Sequence, residues 1–418
     1  MSGLKLTPME KSWVMYDVGN SAFILMLSTV IPIFFNSIAG DSLSAVDYLA
    51  FWGYAASIAT LMCAFIGPVL GSISDRKGMR MKLFTAILCI GAIGCAALGF
   101  MDSWMAFLVI LIITRLMYSL SLILYDSMLV DVTTVDRMDS VSSSGYAWGY
   151  IGSCVPFVAC LVLILGCDSF GITMSMAMTI SMIVIAVWWV AASLPLIKRY
   201  VQMNHVEGNG NALGRLWNTI KDSRNDKRIL LFLLAFFFYI DGVYTIIEMA
   251  TAYGEALGLE SSSLLMALLL TQIVAFPCCI AFGRLSYRFD ASKLILVCIA
   301  GYMFITMFAV FMTTATEFWM LAFMVGIFQG GIQALSRSHF SKIIPPEKSG
   351  EYFGVMDVFG KGASFLGTMS VSAVSQFTGN MSLGIMSLLA FFIIGLMLFI
   401  LSTRSPSVSM DAEVLSDQ

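Results

Sequence analysis

Asp17, Arg115, Asp126, Asp241, Glu248, Asp357 and Lys361 stand inside long apolar stretches of a 418-residue chain. A charge in hydrocarbon costs at least about 2.5 kcal/mol on insertion scales, so each needs a partner, a wet cavity or a function. Helical spacing sorts them. Asp17 and Asn20 share one face of a helix. Asp241 and Glu248 lie about 20° out of register and about 10 Å apart along another. A carboxylate beside a low-dielectric cavity can take up and release a proton. Asp241 or Glu248 is therefore expected to bind a coupling proton, with Asp17 the next candidate. The structural alternatives stay open: bonds at helix breaks beside glycine for Asp17 and Asp241, and an ion pair with a basic residue for Glu248.

Arg115 and Asp126 return to nearly one face about 16 Å apart, too far to pair. Arg115 is deep enough to meet an anionic group of a solute or to pair with a carboxylate on another helix. Asp357 and Lys361 are spaced for an intrahelical pair and can equally serve as ligands. Gln329 and Gln333 share a face, where amides suit either a polar solute or helix-to-helix bonding. Arg337, at the end of its apolar stretch, reads as a gate or interface residue.

Residues so placed must be held by elements that cross fat. Hydrophobic residues make up 59% and charged residues 12%, against roughly 45–50% and about 25% in soluble domains. A soluble fold lacks the interior for that surface, so a bilayer must solvate much of it. The net charge of -3 and scattered basic residues offer nothing to nucleic acid. Nine cysteines without ligand spacing read as small packing residues, and no metal or cofactor is expected beyond a coupling proton or sodium ion. Met1 to Lys11 is polar and lacks a signal-peptide core, so the first apolar helix is expected to direct insertion.

A span needs about 20 mostly apolar residues. Twelve stretches qualify: 13–36, 48–72, 82–101, 104–129, 143–166, 171–196, 229–254, 261–283, 293–313, 317–338, 351–376 and 381–402. The loops on one side (37–47, 102–103, 167–170, 255–260, 314–316 and 377–380) contain no lysine or arginine. The basic loops lie opposite, which places both termini and the long central segment in the cytoplasm. The expected organisation is a six-helix half over 1–197, a cytoplasmic linker over 198–228, a second six-helix half over 229–402 and a tail over 403–418. Within the linker, Gly208 to Asn211 reads as flexible and Leu213 to Ile220 as a short surface helix. The halves echo each other: Tyr16-Asp17-x-Gly19 against Tyr239-x-Asp241-Gly242, and Gly71 to Lys82 against Gly283 to Arg288, as in a duplicated unit.

Gly71-Ser72-Ile73-Ser74-Asp75-Arg76-Lys77-Gly78-Met79-Arg80-Met81-Lys82 resembles the major facilitator signature between helices 2 and 3. Gly71 permits close helix approach, Gly78 a tight reversal, and Asp75 can accept bonds from a basic group or a helix N-terminus. Ser12 to Phe23, Phe328 to Ser338, Tyr352-Phe353-Gly354 and Gly360 to Gly367 resemble the vacuole-effluxer-like branch, which includes fungal vacuolar amino-acid exporters and bacterial members. The resemblance implies an all-α major facilitator fold with twelve helices in two pseudo-symmetric halves. It also implies that helices 1 and 7 line a central cavity, and that Gly71, Asp75, Arg76, Gly78 and Arg80, with Asp126 and Arg337, form the cytoplasmic gate.

The function expected is secondary active transport of a small polar solute by alternating access, with proton coupling; amino acids or peptides come first and sugars second. A transport-inactive sensor and a membrane-embedded enzyme are the rivals. The enzyme is disfavoured because His205 and His339 are expected at the cytoplasmic side and no zinc-protease motif or P-loop is present. The partners expected are the lipid bilayer and a small-molecule substrate, with a monomer in a bacterial inner membrane.

Overall fold

The computed structural model describes residues 5–207, 214, 221, 226–256 and 260–405. Among them, eleven helices are long and apolar enough to cross a membrane. They are α1 (Pro8–Ala39), α2 (Ala45–Ser74), α3 (Met79–Leu98), α4 (Trp104–Ser127), α5 (Met138–Leu165), α6 (Met174–Arg199), α7 (Lys227–Ala256), α8 (Ser261–Leu285), α9 (Ala291–Phe311), α10 (Ala315–Ile343) and α12 (Met381–Arg404). The twelfth, α11 (Ser349–Thr378), is 30 residues long, enough to cross, and carries Glu351, Asp357 and Lys361. The linker readings at Gly208–Asn211 and Leu213–Ile220 fall outside the described residues, apart from Gly214.

Several helices run past the apolar stretches that announce them. Helix α1 starts at Pro8 rather than 13, because Thr7 and Glu10 close a capping box with proline at the first turn. That satisfies amide groups which the helix itself leaves open. Helices α5 and α10 likewise extend to Met138 and Ile343. In both cases the extra turns lie at the end of the bundle that carries the basic loops, here called the basic end. His339 sits in such a turn of α10, buried against the rings of Phe232 and Phe399 rather than in a loop.

The two halves pack alike. Helix α1 lies on α5 and α6, as α7 lies on α11 and α12; across the halves, α2 meets α11 as α8 meets α5. The repeat is visible in single side chains. Tyr16 and Ser121 share a hydrogen bond of 2.5 Å between α1 and α4, and Tyr239 and Ser336 share one of 2.7 Å between α7 and α10. Gly19 lies against Trp189 and Ala192 of α6, and Gly242 against Phe392 of α12. Each glycine stands three residues after its tyrosine, so the sequence echo marks equivalent positions.

Candidate functional site

The hydrogen bonds and ion pairs seen between the halves lie between the middle of the helices and the basic end. Two clusters carry most of them.

The first is built around Arg337 of α10. It reaches into the other half and bonds Asp126 of α4 at 2.9 Å, with Asp17 of α1 at 3.5 Å. It also donates to the Ser142 hydroxyl at 2.9 Å and the Ser142 carbonyl at 3.0 Å. Its guanidinium sits 4.6 Å from the Trp13 ring centre and 4.4 Å from that of Tyr146. A planar cation with a fork of donors suits this box; a lysine could not bond both helices and face both rings. Asp17 takes a further bond of 2.7 Å from the Tyr125 hydroxyl and one of 3.4 Å from Asn20. Asn20 is buried here, facing Asp17 rather than an open cavity. Gly145 makes the room, since a methyl group there would stand 2.5 Å from an Asp17 oxygen.

The second cluster is the α2–α3 turn, closed by Gly78 with φ of 70°, a conformation that glycine adopts without strain. Asp75 accepts the backbone N–H groups of Gly350 and Glu351 at 2.8 and 2.9 Å, capping the N-terminus of α11 from the opposite half. Arg80, fully buried, bonds Asp75 at 2.5 Å and Asp131 at 2.9 Å. Burial pushes the Asp75 carboxyl up to about 6, against the pull of Arg80 and the two amides. Gly71 lets the helices meet: a methyl group there would stand 2.1 Å from the Gly350 carbonyl. Ser72 adds a bond of 2.5 Å to Glu351. Arg76 pairs through its backbone with Val206.

Beyond these two clusters, Asp357 and Lys361 form their intrahelical pair at 2.6 Å, and Cys63 of α2 lies 3.2 Å from the lysine nitrogen. Arg115 of α4 is half-buried and Glu248 of α7 exposed; their charges interact, though no direct ion pair joins them among the described residues. Asp241 is fully buried. One of its oxygens accepts the Gly367 amide at 2.9 Å and the Thr245 hydroxyl at 3.3 Å, while the other has no partner among the described residues. Gln329 lines a cavity of about 50 Å³ between α7, α8 and α10 together with Gln272 and Thr271. Gln333 is half-buried one turn further on.

Sequence reasoning missed Asp131, which sits in the short helix Leu129–Val132 after α4, and Asp139, which bonds Lys342 at 2.6 Å and Ser338 at 2.7 Å across the halves. It also missed Gln272. Asp131 and Asp139 lie in a polar loop or a first helical turn, where charge is ordinary; nothing in their spacing marks them.

A family model described as vacuole effluxer Atg22 like matches residues 130–408. The chain belongs to that family. An uncharacterized MFS-type transporter of Bacillus subtilis, YxiO, is 39% identical over 417 residues, covering 97% of each chain. Autophagy-related protein 22 of Saccharomyces cerevisiae is 23% identical over 289 residues, 59% of this chain and 54% of that protein. The fold is that of major facilitator transporters. The Escherichia coli fucose:proton symporter FucP superposes with a TM-score of 0.71 at 14% identity, over 95% of this chain and 98% of that one. A bacterial homologue of the iron transporter ferroportin in its outward-facing state superposes with a TM-score of 0.70 at 12% identity, over 95% and 99%. The effluxer-like chain is thus an integral membrane protein whose relatives and structural neighbours are transporters.

Proposed function

We propose that this protein carries a small polar solute across the membrane by alternating access, with a zwitterionic amino acid or short peptide favoured over a sugar and a proton as the coupling ion. The carrying observation is the relation of Arg115 to Glu248. They stand on α4 and α7, in opposite halves and opposite in charge, and neither makes a hydrogen bond or ion pair among the described residues. A ligand with a carboxylate and an ammonium group satisfies both at once, and its release frees the halves to rock.

Asp241 is the candidate for the coupling proton. Asp17, on the equivalent helix of the first half though one position earlier in the repeat, has a cation beside it; among the described residues Asp241 has none, no exposure, and one unpartnered oxygen. A bare buried carboxylate is costly, and a proton removes that cost without an ion pair. Asp17 and Glu248 remain the lesser candidates. We place the protein in a bacterial inner membrane as a monomer without enzymatic activity, with the basic end and both termini cytoplasmic. In that orientation the interlocked basic end supports reading this as the outward-facing state, with Asp75, Arg80, Asp126 and Arg337 proposed as its closed gate.

The test is a thermal-shift screen of the purified protein against metabolites, followed by flux in liposomes. The ligand found should carry both charges, and Arg115→Ala and Glu248→Gln should each weaken it about tenfold to a hundredfold, the range for a lost charge-assisted hydrogen bond. Unchanged affinity in both variants rejects the reading.

A further inference from the structure

The chain does not leave the bundle where α6 ends at Arg199. Residues 200–206 turn back beneath the α2–α3 turn and bind it at several points. The Gln202 side chain donates to the Ser74 carbonyl at 3.0 Å, and the Val206 amide to the Asp75 carbonyl at 2.8 Å. Both are carbonyls at the end of α2, where the helix offers no amide of its own. Asp131 grips the same segment: one oxygen accepts the Asn204 amide at 2.8 Å, the Asn204 side chain at 2.9 Å and the Met203 amide at 3.3 Å. Its other oxygen holds Arg80 at 2.9 Å and the Tyr200 hydroxyl. Every one of these bonds is to the first half. The turn they fix is the one whose Asp75 carboxylate caps α11 of the second half.

We infer that residues 200–206 form a strap that positions the gate: by holding the backbone of Asp75 and, through Asp131, the guanidinium of Arg80, it presents the Asp75 carboxylate to the N-terminus of α11. Gln202, Asn204 and Val206 are positioning residues, acting through Asp75 and Arg80 without touching α11. The geometry makes the start of the connection between the halves part of the lock. A turn already fixed loses less conformational freedom each time α11 docks, so the closed basic end gains over the open one. Loosening the strap should shift the equilibrium toward the open end while leaving all the charged gate residues in place.

This inference rests on the gate of the proposed alternating access, and the experiment separates the two. Cys279 of α8 is buried at the basic end, its thiol 3.2 Å from the Ser143 carbonyl of the other half; Cys95 is buried within the first half, bonded to the Met182 carbonyl. In a background that keeps only these two cysteines, maleimide labelling of the full chain in detergent is followed by mass spectrometry. Gln202→Ala/Asn204→Ala and, separately, Val206→Pro should each raise labelling of Cys279 about fivefold or more, a shift of about 1 kcal/mol, with Cys95 unchanged. Arg337→Ala reports on the gate itself. If it raises Cys279 labelling and neither strap variant does, the strap falls and the gate stands. If none of the three does, both fall. A parallel rise at Cys95 means the segment holds the fold rather than the gate, and overturns the inference.

Discussion

Arg337 of α10 lies between Asp126 of α4, at 2.9 Å, and Asp17 of α1, at 3.5 Å, so one guanidinium from the second half neutralises two helices of the first. It cannot stay there if the halves part at the basic end, because the residues it bonds belong to the other lobe. Removing one member of a buried pair costs about 3–5 kcal/mol, chiefly by stranding the remaining charge. Arg337→Ala strands two. The closed state should lose at least about a hundredfold in population relative to the open one, and Arg337→Lys, which keeps charge but not the fork, should fall between. Site-directed spin labels across the basic end would show the wider distance in that order.

For Asp241, the isosteric Asp241→Asn keeps the shape and an acceptor for the Gly367 amide and removes the titratable proton. Counterflow driven by substrate alone should continue at near the parent rate, while accumulation against a gradient driven by a pH difference should cease. Asp17→Asn should behave differently. It weakens the pair with Arg337 and so alters the gate, visible as faster leak rather than clean uncoupling. If Asp241→Asn still accumulates substrate uphill, Asp241 is not the coupling site.

How far the sequence reveals this depends on which residues carry the signal. The spans and the basic asymmetry were readable because hydrocarbon thickness and loop charge are one-dimensional constraints. The echo of Tyr16 and Gly19 in Tyr239 and Gly242 was readable because the repeat keeps their spacing. The pairing of Asp357 with Lys361 follows from a single turn of helix. By contrast, the joining of Asp17, Asp126 and Arg337 depends on three helices far apart in the chain, and no local pattern gives their mutual depth. Asp131 looks like an ordinary loop carboxylate until the chain after α6 folds back on it. The start of α1 was legible in principle, since Thr7-Pro8-Met9-Glu10 spells a capping box, but hydropathy alone set the boundary several residues late.

The paired tyrosines give a stability test that needs no substrate. Tyr16→Phe and Tyr239→Phe each remove one buried hydroxyl bond between inner helices and leave the partner serine with its own backbone carbonyl, Tyr118 for Ser121 and Ile332 for Ser336. Each should lower stability by about 1 kcal/mol. Because the sites belong to different halves and share no partner, the double variant should show nearly the sum. Thermal melts in one detergent measure all three; a double variant no worse than either single would mean that the equivalence is only geometric.

Gly71 tests whether the basic end must close for transport. A methyl group there would stand 2.1 Å from the Gly350 carbonyl and 3.1 Å from the Glu351 amide, both backbone atoms that no rotamer change can move aside. Gly71→Ala therefore forces α2 and α11 apart at the very point where Asp75 caps α11. The three nearest atoms all belong to the other half, so this clash exists only when the halves meet. The expected result is a folded protein with its basic end held open. It should bind substrate from that side and exchange little, with solute flux falling about tenfold or more while the melting temperature moves by only a few degrees. A variant with full flux would show that the two helices need not approach this closely during the cycle. A variant that fails to reach the membrane would be replaced by Gly354→Ala, whose methyl group meets the Pro68 Cα at 2.6 Å further along the same crossing, and the same fall in flux is expected.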